Sequence, residues 1–323
     1  MFISLTDMIN FRTELNLPPA SFSIKHDDLI MLIGSCFSNN IGSRLQNYKF
    51  NSICNPFGTV FHPVSIARLI EYALQLKVVA IEDLQLSQGV FVHCDFHSNL
   101  GSVDNQQAVH NINLAIAETH EALKRVKYLF ITLGTSIGYS LKSTDTIVAN
   151  CHKLPSEMFA KANSSIEMCE NALANALSSL FAINNDVHVI MTVSPVRHTK
   201  DGIIENARSK AKLLSVAENL QMRFENVSYF PAYEWMMDDL RDYRFYEKDL
   251  IHPNEQAIDY IWEKFEGHYF DGETNNLNKK IGKIIQQMNH RPFNVESTEY
   301  QYFMKNLETQ KSLLQSAYPW IQF

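Results

Sequence analysis

Residues 29–37 read Leu29-Ile30-Met31-Leu32-Ile33-Gly34-Ser35-Cys36-Phe37, and this stretch decides the fold. An unbroken apolar run that ends at a glycine is typical of a strand buried on both faces, as in a parallel sheet. From residue 36 to 48 the apolar side chains recur at helical spacing, and Ser35 or Ser38 is suited to cap that helix. The stretch therefore predicts a strand, a Gly-Ser turn and a helix.

The same alternation continues along the chain. Apolar runs predict buried strands at residues 128–134, 187–193 and 227–230. Helical periodicity predicts helices from Pro63 and at residues 106–126, 166–182, 207–222 and 254–265. Because parallel strands need crossover helices, the pattern indicates an α/β fold with a mainly parallel sheet. The composition changes after Gly272, so we expect a main domain over residues 11–270 and a helical C-terminal extension over residues 271–323.

Composition and charge exclude several classes of function. The 323 residues carry a formal net charge of -7, and no run of Lys and Arg is long enough for a nucleic-acid patch. No apolar run approaches the ~20 residues that span a bilayer, and the first residues lack a signal-peptide pattern. Five cysteines without CxxC spacing indicate reduced thiols. We expect a cytoplasmic protein with no nucleic-acid or membrane partner, and the sequence leaves its oligomeric state open.

Ser35 is the first candidate for chemistry. A serine between a buried strand and a helix places its hydroxyl at the carboxyl edge of the sheet and its amide in the field of the helix N-terminus, where an oxyanion can be stabilised. The position fits a plain helix cap equally well. Cys36 is the rival nucleophile, because helix N-termini lower a thiol pKa, although burial behind the strand is the alternative for it.

The second candidate is the run Asp249-Leu250-Ile251-His252-Pro253. An imidazole that takes a proton from serine needs a partner that fixes its tautomer, and an aspartate three residues upstream reaches Nδ1 when the loop is tight. We expect Arg241 and Arg244 to brace this loop through charge-assisted bonds. A surface histidine near a helix start is the alternative reading.

Together, Gly34-Ser35-Cys36-Phe37 and Asp249-x-x-His252-Pro253 resemble the SGNH hydrolase superfamily, and within it the GSCFA family. The resemblance runs from about residue 11 to 265 through further motifs: Asn55-Pro56-Phe57-Gly58, Leu133-Gly134-Thr135, the runs at 150–155 and 192–198, and Tyr243-Arg244-Phe245-Tyr246. It implies a flavodoxin-like three-layer α/β/α sandwich that acts on acyl esters with a Ser-His-Asp triad and no metal.

Residue by residue, the resemblance assigns Ser35 as the nucleophile, His252 as the base and Asp249 as the residue that orients the base. It also assigns the backbone amides of Ser35 and Gly58 to the oxyanion hole. No cofactor is expected, since the chain has neither a dinucleotide fingerprint nor a Walker loop.

The third block departs from the superfamily pattern. Where the superfamily has Gly-x-Asn-Asp, this chain reads Gly134-Thr135-Ser136 and lacks the asparagine that would be the third oxyanion donor. Asn150, or a hydroxyl of Thr135 or Ser136, is a candidate substitute. Loss of one such donor costs about 10²–10³ in rate in a protease example.

Loop polar residues supply candidates for substrate binding. We expect His152, Arg197 and Asn55 at the pocket rim, where they would suit an acidic or hydroxyl-bearing substrate. The run His93-Cys94-Asp95-Phe96-His97 invites a metal, but nothing else in the sequence nominates the remaining ligands, and a polar loop is the preferred reading.

The leading hypothesis is therefore a hydrolase of small-molecule or carbohydrate esters with a small acyl group such as acetyl. An O-acyltransferase with the same acyl-enzyme is one alternative. A non-catalytic ligand-binding module on the same fold is the other, because fold does not dictate function.

Overall fold

A computed structural model describes residues 12–323, so the expected domain start at residue 11 lies outside the described residues. The strands are β1 (Ile30–Gly34), β2 (Ser52–Cys54), β3 (Gln85–Ser87), β4 (Val90–Val92), β5 (Tyr128–Leu133), β6 (Ile137–Leu141), β7 (Thr146–Val148), β8 (Phe159–Asn163), β9 (His188–Val193) and β10 (Val227–Tyr229). The helices are α1 (Cys36–Asn47), α2 (Pro63–Leu74), α3 (Asn105–Leu123), α4 (Ile166–Ile183), α5 (Ile203–Arg223), α6 (Ala232–Glu234), α7 (Glu255–Tyr269), α8 (Gly272–Met288) and α9 (Thr298–Ala317). A π-helical turn, Trp235–Asp239, continues α6.

The central sheet is parallel throughout and has the order β10-β9-β5-β1-β2. Counted within the sheet alone, this is the flavodoxin-like order 2-1-3-4-5. The predicted fold class is confirmed. Ligands of such sheets bind where the strand order reverses, and here that point lies between the ends of β1 and β5.

Helices cover both faces of the sheet. Successive strand residues point to opposite faces, and the apolar side chains on both faces are buried. Met31 and Ile33 belong to a large core shared with α2, α3, α4 and α5. Ile30 and Leu32 belong to an aromatic-rich core shared with α1 and α7. These two cores make the three layers of an α/β/α sandwich.

Small antiparallel elements, which the sequence did not predict, flank the carboxyl edge of the sheet. Strands β7, β6 and β8 form a three-stranded sheet, and β3 and β4 form a hairpin. Because β6 begins four residues after the end of β5, the three-stranded sheet emerges beside the sheet's switch point.

The C-terminal helices α8 and α9 pack on each other through a separate apolar cluster, and Tyr48 at the end of α1 packs against it. The predicted helical character of this segment is confirmed. Over residues 12–323, no helix has both the length and the apolar character that crossing a bilayer requires.

Candidate active site

Ser35 lies at the switch point, between the end of β1 and the start of α1. It is buried and caps α1, with its Oγ accepting a hydrogen bond from the amide of Phe37 at 3.3 Å. Its position at the carboxyl edge of the sheet is as predicted. Ser38 is not the cap, because its hydroxyl donates to Thr132 Oγ1 at 2.8 Å.

Gly34 allows the neighbouring strand to come close to this turn. A Cβ atom on Gly34 would lie 2.3 Å from the carbonyl oxygen of Thr132. The φ of Gly34 is 147°, which residues with side chains rarely adopt. Asn55 completes the turn, since its Oδ1 accepts from the amide of Gly34 at 2.8 Å and its Nδ2 donates to Asn39. The side chain of Asn55 is thus buried and fully engaged in holding the turn.

Asp249 and His252 form a compact pair in a tight loop. The Nδ1 atom of His252 lies 2.7 Å from Asp249 Oδ2, while Oδ1 of the same carboxylate accepts from the amides of Ile251 and His252. These bonds, led by the one to His252, lower the pKa of Asp249 to about 2. The ionised carboxylate can only accept, so Nδ1 carries the proton and Nε2 has the lone pair that a general base needs.

Within residues 12–323 the structure has no hydrogen bond between Ser35 and His252. Both nevertheless lie at the carboxyl edge of the sheet: Ser35 follows β1, and Arg197, which follows β9, donates its amide to Ile251 O next to His252. About half of the His252 side chain is exposed, so the ring is accessible to a ligand. Catalytic hydrogen bonds often tighten only when substrate binds.

The two amides assigned to the oxyanion hole are engaged elsewhere. Ser35 N donates to Thr132 O at 3.2 Å, and Gly58 N donates to Asn55 O at 2.7 Å. In contrast, the amide of Cys36, the first of α1, has no acceptor among residues 12–323. This amide points out of the helix N-terminus beside Ser35 and is therefore available to an anion.

The hydroxyls of Thr135 and Ser136 point toward α5 and not toward Ser35. Ser209 Oγ lies 2.9 Å from Thr135 Oγ1 and accepts from the amide of Ser136 at 2.7 Å and from its hydroxyl at 3.2 Å. Asn150 lies farther along the chain, where its Oδ1 accepts from the amide of His152 at 2.9 Å.

Lys210, one residue beyond Ser209, is a site residue that the sequence did not reveal. It is 1% exposed, and its Nζ donates to the carbonyl oxygens of Gly134 and Ser194, each at 2.7 Å. Those carbonyls follow the ends of β5 and β9, so one ammonium ties both strand ends together. Burial lowers the pKa of Lys210 to about 7.

Arg197 braces the Asp249 loop, a role predicted for Arg241 and Arg244. Its amide donates to Ile251 O at 3.1 Å and its Nη1 to Leu250 O at 3.0 Å. Arg241 instead binds Met237 O and Asp238, and the Arg244 guanidinium lies over the ring of Phe245. The bracing cation therefore comes from the loop after β9.

His152 serves the loop architecture. Its Nε2 lies 2.9 Å from His93 O and 3.0 Å from Phe96 O, and the residue is buried. Burial lowers its pKa, so the ring is held as a neutral donor. Over residues 12–323, no three His, Cys, Asp or Glu side chains converge as metal ligands; Asp95 instead pairs with Arg68 at 2.7 Å.

A cavity of about 330 Å³ lies between the segment after β2 and the three-stranded sheet. Its lining residues include Thr59, Phe61, Tyr139 and Asn150. Phe61 also packs against the ring of His198, with 5.1 Å between centroids. The cavity thus opens beside the loops that carry the candidate site.

Two family models match this chain. The model of the GSCFA family matches residues 29–265, and that of the GSCFA domain protein, C-terminal domain, matches residues 281–323. A comparison with curated protein sequences gave no match.

Among solved structures, a carbohydrate esterase family 3 from Talaromyces cellulolyticus is 9% identical, with a TM-score of 0.36 and coverage of 79% of this chain and 99% of the other. A family two carbohydrate esterase from Clostridium thermocellum, in complex with cellohexaose, is 11% identical, with a TM-score of 0.36 and coverage of 80% and 66%. At such TM-scores these likenesses support none of the arguments below.

Proposed function

Because the chain belongs to the GSCFA family, we propose that it is a serine-dependent hydrolase of acyl esters in which Ser35 is the nucleophile. The observation that carries the proposal is the Asp249–His252 pair at the sheet edge where Ser35 follows β1. A small acyl group such as acetyl, carried by a carbohydrate or another small alcohol, is the proposed substrate. The cytoplasmic location stays a prediction.

The mechanism follows from the ionised Asp249. His252 Nε2 removes the hydroxyl proton of Ser35 while Oγ bonds to the ester carbonyl carbon, and the carbonyl electron pair moves onto its oxygen. The alcohol leaves with the proton held by His252. Water then repeats both steps on the acyl-enzyme and releases the acid.

The free amide of Cys36 is the proposed first donor to the oxyanion, because the Ser35 and Gly58 amides are engaged. The bond from Phe37 N uses a lone pair of Ser35 Oγ at 3.3 Å and leaves the hydroxyl proton for His252.

The test is intact-protein mass spectrometry after exposure to a fluorophosphonate. We expect one adduct on the wild type and none on Ser35→Ala or His252→Ala. Ser38→Ala is the matched control: it removes a neighbouring serine whose hydroxyl binds Thr132, and it should still be labelled.

A binding module is the second candidate, favoured by the engaged Ser35 and Gly58 amides and by the missing Ser35–His252 bond among residues 12–323. A folded wild type that takes up no fluorophosphonate at neutral pH would establish this alternative over the hydrolase. If labelling occurs and acyl products form only with an added acceptor alcohol, the protein is an acyltransferase.

A further inference from the structure

A second cavity, of about 260 Å³, is lined by Arg197, which braces the Asp249 loop. It is formed by the segment after β9, the π-helical turn and the run before the loop; its lining residues are Arg197, Met236, Met237, Leu240, Arg241, Asp242, Tyr243 and Tyr246. Its volume is below the ~300–1,000 Å³ of drug-sized ligand pockets, so it suits one ring or a short chain. π-helical turns are frequent at functional sites.

Arg197 gives this cavity a positive charge. Over residues 12–323 it has no salt bridge, whereas Arg241 on the same wall is paired with Asp238. The remaining carboxylate, Asp242, accepts from the amide of Arg244 at 2.8 Å. Guanidinium groups bind carboxylates through paired, charge-assisted bonds.

Two tyrosine rings and one hydrogen bond hold the Arg197 guanidinium in place. Its Cζ lies 5.8 Å from the ring centre of Tyr243 and 5.6 Å from that of Tyr246, and its Nη1 donates to Leu250 O. Only part of its donor set is used by that single bond. Cation–π contacts hold such a group without using its N–H donors, so the unused ones can meet an anion.

Apolar side chains make up the rest of the wall. Met236 and Leu240 are buried, and Met237 packs against the same cluster. A flat aromatic and thioether wall beside a cation suits a small apolar group that ends in a carboxylate. Arg197 also bonds Leu250 and Ile251, so a ligand here would lie next to the loop that carries His252.

We propose that this cavity binds a carboxylate carried by the ester substrate, so that the enzyme selects anionic esters. The inference rests on the proposed function for its catalytic meaning, but the binding itself does not require catalysis. Arg197 would hold the carboxylate, and the Tyr243 and Met237 side chains would cover the attached apolar part.

Binding is tested on the Ser35→Ala protein by calorimetric titration with benzoate and with benzamide, which lacks the charge. Benzoate should bind at least about tenfold more tightly, and Arg197→Gln should remove that preference, since a charge-assisted bond contributes this much. Arg241→Gln should weaken benzoate binding far less, because the charge of Arg241 is held by Asp238. Equal binding of the two probes, or equal effects of the two variants, overturns the proposal.

Catalysis gives an independent readout with 4-acetoxybenzoate and 4-acetoxybenzamide. The kcat/KM for 4-acetoxybenzoate divided by that for 4-acetoxybenzamide should be about tenfold or more lower in Arg197→Gln than in the wild type. A merely structural role for Arg197 would lower both values and leave the ratio unchanged, which would refute the subsite. If benzoate binds through Arg197 but neither ester is cleaved, the hydrolase proposal fails and the binding site stands.

Discussion

Lys210 Nζ lies 2.7 Å from the carbonyl oxygen of Ser194, the first residue after β9. The same atom holds Gly134 O after β5, and burial lowers the pKa of Lys210 to about 7. A neutral amine still has two N–H donors, enough for both carbonyls. Loss of the charge therefore need not break either bond.

Stability should consequently depend on pH through Lys210. An unfolded lysine titrates near 10.4, so between about pH 7 and 10 the unfolded chain binds more protons than the folded one. The free energy of unfolding should therefore rise with pH in that window, by at most about 1.4 kcal/mol per pH unit. Urea unfolding at pH 7, 8 and 9 should show that the free energy of unfolding of the wild type increases relative to that of Lys210→Met as pH rises.

Lys212→Met is the matched control for that series. Lys212 lies on the same helix and is only partly buried, where its Nζ binds Asn163 and Ser164 O. The free energy of unfolding of Lys212→Met should change with pH in parallel with that of the wild type. A Lys210→Met curve that also runs parallel would show that the folded-state lysine stays fully charged across the whole window.

Asp249→Asn should suppress labelling of Ser35 by fluorophosphonate about 10³-fold or more, by analogy with the same change in a serine protease triad. The amide can no longer fix the His252 tautomer. Because the folded pKa of Asp249 is about 2, the carboxylate is ionised at neutral pH. Its stabilising bond to His252 is fully present above about pH 4 and is lost as pH falls through about 2. Asp201→Asn, which breaks a pair with Lys161, should keep the wild-type labelling rate.

Gly34→Ala should destabilise the fold by about 3 kcal/mol or more, because the new methyl group collides with Thr132 O in an already unfavourable backbone conformation. The control is Gly267→Ala in α7, where a Cβ meets nothing within 4 Å. That change should stabilise the protein by up to about 1 kcal/mol, since alanine favours helix. Denaturant unfolding of both variants measures the contrast, and similar losses in the two would contradict it.

Tyr48→Ala should loosen the C-terminal helices and leave the sheet intact. Tyr48 stacks on Trp262 at 5.8 Å and contacts Gly282 of α8, so it links the extension to the main domain. Hydrogen exchange should quicken in α8 and α9 but not in β1 or β5. Tyr302→Ala, which removes an exposed ring of α9, should leave exchange unchanged. Equal acceleration in the sheet would argue against treating residues 271–323 as a separate extension.

The parallel sheet could be predicted because its central strands are long, apolar and bounded by glycine or proline. Three-residue strands such as β2 and β7 have too little pattern for that, and their pairing depends on contacts remote in sequence. Helix ends shifted by a few residues where caps decided them, as with Asp104 before α3.

The site was predictable where local spacing sets the contact, as in the loop joining Asp249 to His252. It was not predictable where a long side chain reaches across the fold. Lys210 is an unremarkable helical lysine in sequence, and only the packed α5 shows that it is buried. Arg197 likewise takes the bracing role expected of Arg241, because the loop after β9, and not the run before residue 249, lies against Leu250.

The bare backbone at Gly34 also has a consequence for how this site tolerates change. Ser35 and Gly134 leave adjacent strands, and the closeness of those strands depends on a hydrogen atom standing where any other residue has a carbon. The spacing between Ser35 and Gly134 is therefore fixed by the backbone at position 34. The surrounding loops can vary in sequence, while position 34 accepts only glycine.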